Sequence, residues 1–562
     1  MLDCYNPLML TVACKNCAQT FGITDDDLAY YSRIEVPEPT WCPQCREMRR
    51  MAWCNEGTLY NRTCDLTGKP IVSEFSPGNP RKVYSVQAWW GDGWDPLSYG
   101  RDFDFNQSFF EQIHELDLAV PHLCVKIESG DINSDYTHQA GQNKNCYFIF
   151  HATFAEDCYY GYGVKKAKDC MDVHYCHGSE LCYECVDVKD CNDLAWCQDC
   201  TACASSAFLR DCVGCMDCFM CVGLRNKKYC FLNEQLSEEE YKRRRKEMNT
   251  GSFREVQKYM QQFKALEAKH PFRYLQNAMV ENSLGDYLYK SKNAYCCFDC
   301  SDIEDCKYLS QVQLRAKDCY DIYQFGINME LCYEGTMIGA NATNIHFTHT
   351  AVGQVSNLTY CMHCYRSSEN FGCVGLKRHK FCIFNKQYSE EEYFKLKAKI
   401  IEYMKQTGEY GEFFPLEYSP YGYNETSAQL YYPTTREAAL AKGWKWEDKL
   451  PGTYGKETVK ELPDTIRELK GDVTQDILAC TVCSKNYKIT SQELAYYGKK
   501  NLPLPRECFN CRRMRRLNMR NVRKFWLRKC MNQGCANEFY TTISLESSKR
   551  VFCESCYQKA IY

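Results

Sequence analysis

The chain has 562 residues and a formal net charge of −3, from 69 Lys and Arg against 72 Asp and Glu. That length allows about three to five domains, and the charge excludes a global pull toward nucleic acid or membrane, so any such signal must be local. Its 41 cysteines follow a start, Met1-Leu2-Asp3-Cys4-Tyr5, with no basic n-region or apolar h-region, and no apolar run reaches a membrane span of roughly 18 residues. A cytoplasmic protein without membrane contact is expected, with thiols kept reduced and spaced for metal.

Residues 1–125 open with Cys14-x2-Cys17 and, 24 residues later, Cys42-x2-Cys45. Two residues between thiolates form a knuckle that presents both sulfurs to one ion, and two knuckles close a tetrahedral four-thiolate site suited to zinc. Thr24-x2-Asp27 reads as a helix start. The second knuckle runs into a helix carrying Arg46, Met48, Arg49 and Arg50, a treble-clef-like arrangement.

From 126 to 235 cysteines recur in steps of three, six, nine and twelve; Cys146, Cys158, Cys170 and Cys182 are twelve apart. No helical period fits such steps, and short fixed periods signal a β-solenoid whose coils stack. Segment 236–279 reads as capping and linker helices, entered through the capping box Ser237-x2-Glu240. Residues 280–387 repeat the body: Ala316-Lys-Asp-Cys319-Tyr-Asp-Ile answers Ala167-Lys-Asp-Cys170-Met-Asp-Val, and Tyr333-Glu334 answers Tyr183-Glu184. The second body holds ten cysteines against fifteen, and its stretch 339–359 holds none. A packed ladder tolerates such replacement and a thiol function does not, so core packing is the expected role of these cysteines. Residues 388–470 hold a capping helix, opened by Ser389-x2-Glu392, and a Tyr- and Pro-rich strap.

The C-terminal part, 471–562, copies the N-terminal one at a constant offset of 466: Cys480, Cys483, Cys508 and Cys511 repeat the first four cysteines, Leu494 to Tyr497 repeat Leu28 to Tyr31, and Arg512, Met514, Arg515 and Arg516 repeat the helix. Cys530, Cys535, Cys553 and Cys556 add a further four-thiolate set. Its N-terminal counterpart is eroded: Cys64 survives, but Lys69, Ser85 and Ala88 replace the other three, and Trp89, Trp90 and Trp94 suggest an aromatic core in place of metal. About three zinc ions per chain are expected. The fold class is mainly β, a duplicated β-solenoid flanked by treble-clef or zinc-ribbon modules.

The pattern Phe21-Gly-Ile-Thr24 with Pro39-Thr-Trp-Cys42-Pro43-Gln44-Cys45-Arg46 resembles a zinc-ribbon family of bacterial proteins. The Cys-Tyr repeats ending in residues 224–229, with Phe103 to Phe110, resemble cysteine-rich bacterial proteins. The resemblance implies zinc ligands and an architecture, and no activity.

Three functions are open. In the first, the chain is a scaffold for nucleic acid or a ribonucleoprotein: residues 506–529 hold ten Lys and Arg and one acidic residue, with Phe525 and Trp526 interleaved. Arg512, Arg513, Arg515, Arg516, Arg520, Arg523, Lys524 and Arg528 would meet phosphates. The same basic face could instead pair with acidic surface elsewhere in the chain. In the second, dense thiols such as Cys197, Cys200 and Cys203 store a soft metal or buffer redox change. In the third, a β-helix enzyme would use His174 and His177, or His346, His349 and His363 beside Cys361 and Cys364. The duplication also admits a homo-oligomer.

Overall fold

The computed structural model describes residues 9–561, except 128–129, 313–314, 325, 327–328, 331, 337, 340–345, 348, 350 and 353–354. Ten of the 21 residues of the stretch 339–359 lie outside the described residues. The chain divides into two compact units, each built from two separated segments. One contains 1–125 and 275–450, so the N-terminal module shares a unit with the second repeat body. The other contains 126–274 and 451–562, so the C-terminal module shares a unit with the first body. The strap is divided at residue 450.

Within 126–274 the repeat is a parallel ladder with a twelve-residue register. Tyr162 pairs with His174, His174 with Val186 and Val186 with Gln198. The unit of the repeat is a triplet. From Asn133 to Leu232 every third residue is left-handed, with φ between about 47° and 67° wherever it is not Gly223 at 70°. The residue after each left-handed one points inward, and these residues form a single core: Cys146, Ile149, Ala152, Ala155, Cys158 and onward to Cys230. Every cysteine step is therefore a multiple of three.

A left-handed non-glycine residue costs about 1–2 kcal/mol, least for Asn and Asp, and this ladder offsets that cost twice. Many left-handed positions are Asn, Asp or Gly. They also stack at twelve-residue spacing, where Asn133 donates to Asn145 at 2.9 Å and Asn145 to Asp157 at 3.1 Å. Gly163 (φ 67°) lies under the ring of Tyr175, and a Cβ there would stand 2.5 Å from Tyr175 Cδ1. Gly163→Ala is expected to lower stability by about 2 kcal/mol or more, from backbone strain plus the clash. Chemical denaturation checks this, and an unchanged midpoint counts against the triplet geometry.

The small inward residues are tied to the backbone. Cys170 Sγ donates to the Lys168 carbonyl at 3.2 Å, and Cys146 Sγ to the Lys144 carbonyl at 3.3 Å. Serine does the same job: Ser179 Oγ donates to the His177 carbonyl and accepts from Cys191 N. Cysteine is small enough for the narrow core, largely apolar, and still a weak donor.

Each body ends by reversal. Glu234–Gln235 runs antiparallel to Lys228–Phe231, and Lys386–Gln387 to Lys380–Ile383. The helices Glu238–Glu247 and Glu390–Thr407 then start at Ser237 and Ser389. The second is a closed capping box; in the first, Glu240 turns to Arg243 and Arg244 instead. The helix Phe253–Glu267, in the segment read as capping and linker helices, lays Tyr259 and Phe263 against Phe208, on the outer side of the ladder.

The fold is mixed rather than mainly β: among the described residues there are twelve α-helices, and 29% lie in strands or single bridges. A left-handed residue at every third position keeps the ladder's strands short, and many of its rungs are single bridges.

Candidate metal centres

The two modules fold alike because their local signals are alike. A hairpin (Met9–Ala13 with Thr20–Thr24; Leu478–Ala479 with Asn486–Tyr487) carries the first knuckle. The helices Asp25–Arg33 and Ser491–Lys500 both start in full capping boxes, from Thr24 with Asp27 and Thr490 with Glu493. The helices Pro43–Met51 and Phe509–Leu517 follow, with Cys42 and Cys508 as N-caps.

All twelve cysteines expected as ligands are brought together in the expected sets. Cys14, Cys17, Cys42 and Cys45 form one group, Cys480, Cys483, Cys508 and Cys511 a second, and Cys530, Cys535, Cys553 and Cys556 a third; within each, all sulfurs lie within 4.8 Å of one another. Sγ–Sγ separations of 3.9 Å (Cys17–Cys42), 3.7 Å (Cys483–Cys508) and 3.9 Å (Cys535–Cys553) are close to the ~3.8 Å edge of a tetrahedron with ~2.3 Å metal–sulfur bonds. The donor set therefore fits a metal ion. N–H groups aim at the sulfurs: Cys42 N at Cys14 (3.2 Å), Asn16 Nδ2 at Cys45 (3.2 Å), Cys553 N at Cys530 (3.3 Å) and Asn532 Nδ2 at Cys556 (3.3 Å). Such bonds stabilise thiolates and orient the ligands. Hydrogen bonding from Cys45 above all brings Cys42 down to about 5, while burial pushes Cys508 up to about 11. At Cys553 burial is outweighed by donors including Ser555 and the Cys556 backbone, and the thiol falls to about 6.

At the eroded fourth position Cys64 Sγ accepts from Ser85 N at 3.2 Å. Around it Trp89, fully buried, packs with Tyr84, Leu123 and Tyr365.

The basic helices point inward. In the N-terminal module Arg46 and Arg50 reach Asp321 at 2.8 and 3.2 Å, and Arg49 reaches Glu334 at 2.5 Å; all five side chains are at most 4% exposed. In the C-terminal module Arg512 and Arg516 reach Asp172 at 3.0 and 2.9 Å, and Arg515 grips Glu184 with both terminal nitrogens at 3.0 and 2.9 Å. Asp172 and Glu184 occupy the same repeat positions as Asp321 and Glu334, so one docking is made twice. The paired tyrosines repeat it: Tyr30 stacks on Tyr320 at 3.6 Å and Tyr31 meets Tyr333 edge-on at 5.0 Å, while Tyr496 and Tyr497 lie 6.3 and 6.0 Å from Tyr183.

Of the remaining cations set against phosphate, Arg520 pairs with Asp187 at 2.8 Å, and Arg513 stands over Tyr162 at 4.9 Å. Arg523 is half-buried, and Arg528 donates to the Ser544 carbonyl at 2.8 Å. Lys524 is exposed, 5.5 Å from the Trp526 ring. The one trace of these partners in the chain is that Asp172 and Glu184 recur as Asp321 and Glu334 while the arginines recur in the modules; that the two sets face each other is decided by the fold.

The histidines do not join the cysteines. Cys361 and Cys364 are buried in the second body's core. His349 and His363 meet edge-on at 5.2 Å, and no group with metal-ligand geometry includes them among the described residues. His174 is buried, stacked on Tyr162, and neither ring nitrogen has a hydrogen-bond partner. Burial first, then Arg520, Arg513 and Arg516, hold it neutral far below the usual histidine range. The unfolded chain would protonate it below about pH 6.5, so the unfolded state binds more protons and stability falls as pH drops through that value. His174→Phe is expected to flatten this loss by up to about 1.4 kcal/mol per pH unit. Urea midpoints between pH 7 and 5 check it, and parallel wild-type and variant curves would overturn it.

No family model matches the chain, and no curated protein matches it. No described helix is long and apolar enough to cross a membrane.

Proposed function

We propose that this protein is a non-enzymatic scaffold: two thiol-cored β-solenoids, each locked to a zinc-stapled module, that present a binding surface to nucleic acid or a ribonucleoprotein. A parallel register of twelve with an inward residue every third position is what a coil of four three-residue sides produces. The observation that carries the scaffold reading is the first body's core, where all fifteen cysteines are at most 2% exposed. A redox buffer needs accessible thiolates, and thiols in a dry core are inert. Zinc is favoured at the three four-cysteine groups because a closed all-thiolate tetrahedron suits it and adds folding energy.

Arg512, Arg515, Arg516 and Arg520 pair with internal carboxylates; the cations assigned to phosphate contact are Arg513, Arg523, Lys524 and Arg528, beside Phe525 and Trp526. The test is binding of the zinc-loaded chain to a labelled single-stranded RNA over a range of salt. Arg513, Arg523 and Lys524 all changed to Ala should weaken binding at least tenfold and shrink the log–log salt slope by about 2, at roughly 0.7 per phosphate contact. Salt-insensitive binding, or a slope the triple variant leaves unchanged, rejects nucleic acid as partner.

A further inference from the structure

Among the described residues, one group inside the first body has metal-ligand geometry: Cys170, Cys176 and Cys182, fully buried, with all three sulfurs within 4.8 Å of one another. The triangle follows from the twelve-residue register. Cys170 and Cys182 are one coil apart on the same side of the ladder. Cys176 lies half a coil on, so it faces them from the opposite side at the height between them. Its neighbours one coil away on its own side are Val164 and Val188, both in the core. An apolar column is thus interrupted by a thiol where two facing thiols can meet it. The second body lacks the third member, since no cysteine lies between Cys319 and Cys332.

We propose that Cys170, Cys176 and Cys182 form a trithiolate site for a soft monovalent ion, Cu(I). Cys170 and Cys176 are 3.9 Å apart. With the other two edges between that length and the 4.8 Å limit, an ion equidistant from the three sulfurs lies about 2.3–2.6 Å from each, within reach of all three, and an all-thiolate donor set selects a soft ion such as Cu(I). Zinc fits less well: it takes four ligands, no fourth thiol joins the group, and full burial of the three cysteines leaves no open side for water. Without metal the thiols are satisfied locally, Cys170 on the Lys168 carbonyl (3.2 Å), Cys182 on the Glu180 carbonyl (3.5 Å) and Cys176 on Cys170. On loading, each ligating thiol releases its proton to solvent and no electron moves, because the metal enters as Cu(I). Burial requires entry before the coil closes, so the site fills during folding.

The test refolds the full chain anaerobically with zinc and a Cu(I)–acetonitrile complex, then washes it with the Cu(I) chelator bathocuproine disulfonate. One chelator-resistant copper per chain is expected, with the zinc content unchanged and three sulfurs near 2.3 Å by copper X-ray absorption. Cys176→Val, which restores the apolar column, should keep the fold and zinc and lose the copper at least tenfold. Cys182→Ser, whose hydroxyl can still donate to the Glu180 carbonyl, should lose it likewise. Cys185→Val should retain it. Wild-type protein holding no chelator-resistant copper overturns the site, as does either a Cys176→Val or a Cys182→Ser chain that holds as much as wild type.

Discussion

Stripping metal from the protein should unfold both terminal modules while the repeat bodies keep their strand signal. A structural zinc ion held by cysteine and histidine ligands is worth on the order of 10–16 kcal/mol of apparent binding free energy at neutral pH, and that energy is also folding energy. Apart from their docking on the bodies, the modules have little else to close them: the hairpins are two to five residues a strand, and the helices after Cys42 and Cys508 have nine residues each, too short to persist alone. The expected result with a strong chelator is loss of about three metal ions per chain and rapid hydrogen exchange over residues 9–54 and 478–561. Release should also follow acid. Ligating thiols must be deprotonated, so protons compete with metal as pH falls. A metal-free chain with unchanged exchange protection would falsify the structural role of these clusters.

Asp172→Ala should be as damaging as any single change within its unit. It leaves Arg512 and Arg516, at 2% and 1% exposure, without their shared carboxylate. Breaking a buried pair by removing one partner costs about 3–5 kcal/mol because the remaining charge cannot be resolvated. Asp321→Ala should cost the other unit a similar amount, since Arg46 and Arg50 share that carboxylate in the same way. The measurement is hydrogen exchange resolved by segment. Asp172→Ala should loosen 126–274 and 451–562, and Asp321→Ala the N-terminal module with 275–450. A loss under about 1 kcal/mol in either unit would show that the tyrosine contacts, not the ion pairs, hold module to body. Replacing Asp172, Arg512 and Arg516 together by apolar residues of similar size should recover much of the loss, as buried ion pairs are costly to desolvate.

Much of the candidate site was legible in the chain. Cys-x2-Cys spacing fixes which sulfurs can share an ion, because a knuckle is closed by adjacent backbone. Thr24 and Thr490 start helices through contacts three residues away. The cysteine periods forecast a ladder, although the triplet behind them, with a left-handed residue at each corner, could not be read from cysteine positions that sample only some of its inward sites. Trp89 beside Cys64 was likewise legible, as an aromatic cluster where a second metal set has eroded.

The direction of the basic helices was not legible. Their arginines look like a phosphate-binding face when counted along the chain, and only the fold brings Arg512 to Asp172, 340 residues away, and Arg46 to Asp321, 275 away. The sequence by itself determined what short-range geometry controls: the thiol sets, the helix starts, the repeat and its duplication. The tertiary structure decided which module each body accepts, the N-terminal one with the second body and the C-terminal one with the first. The physical reason is that both modules and both bodies carry nearly the same complementary groups, so local chemistry permits either pairing and only the path of the whole chain selects one.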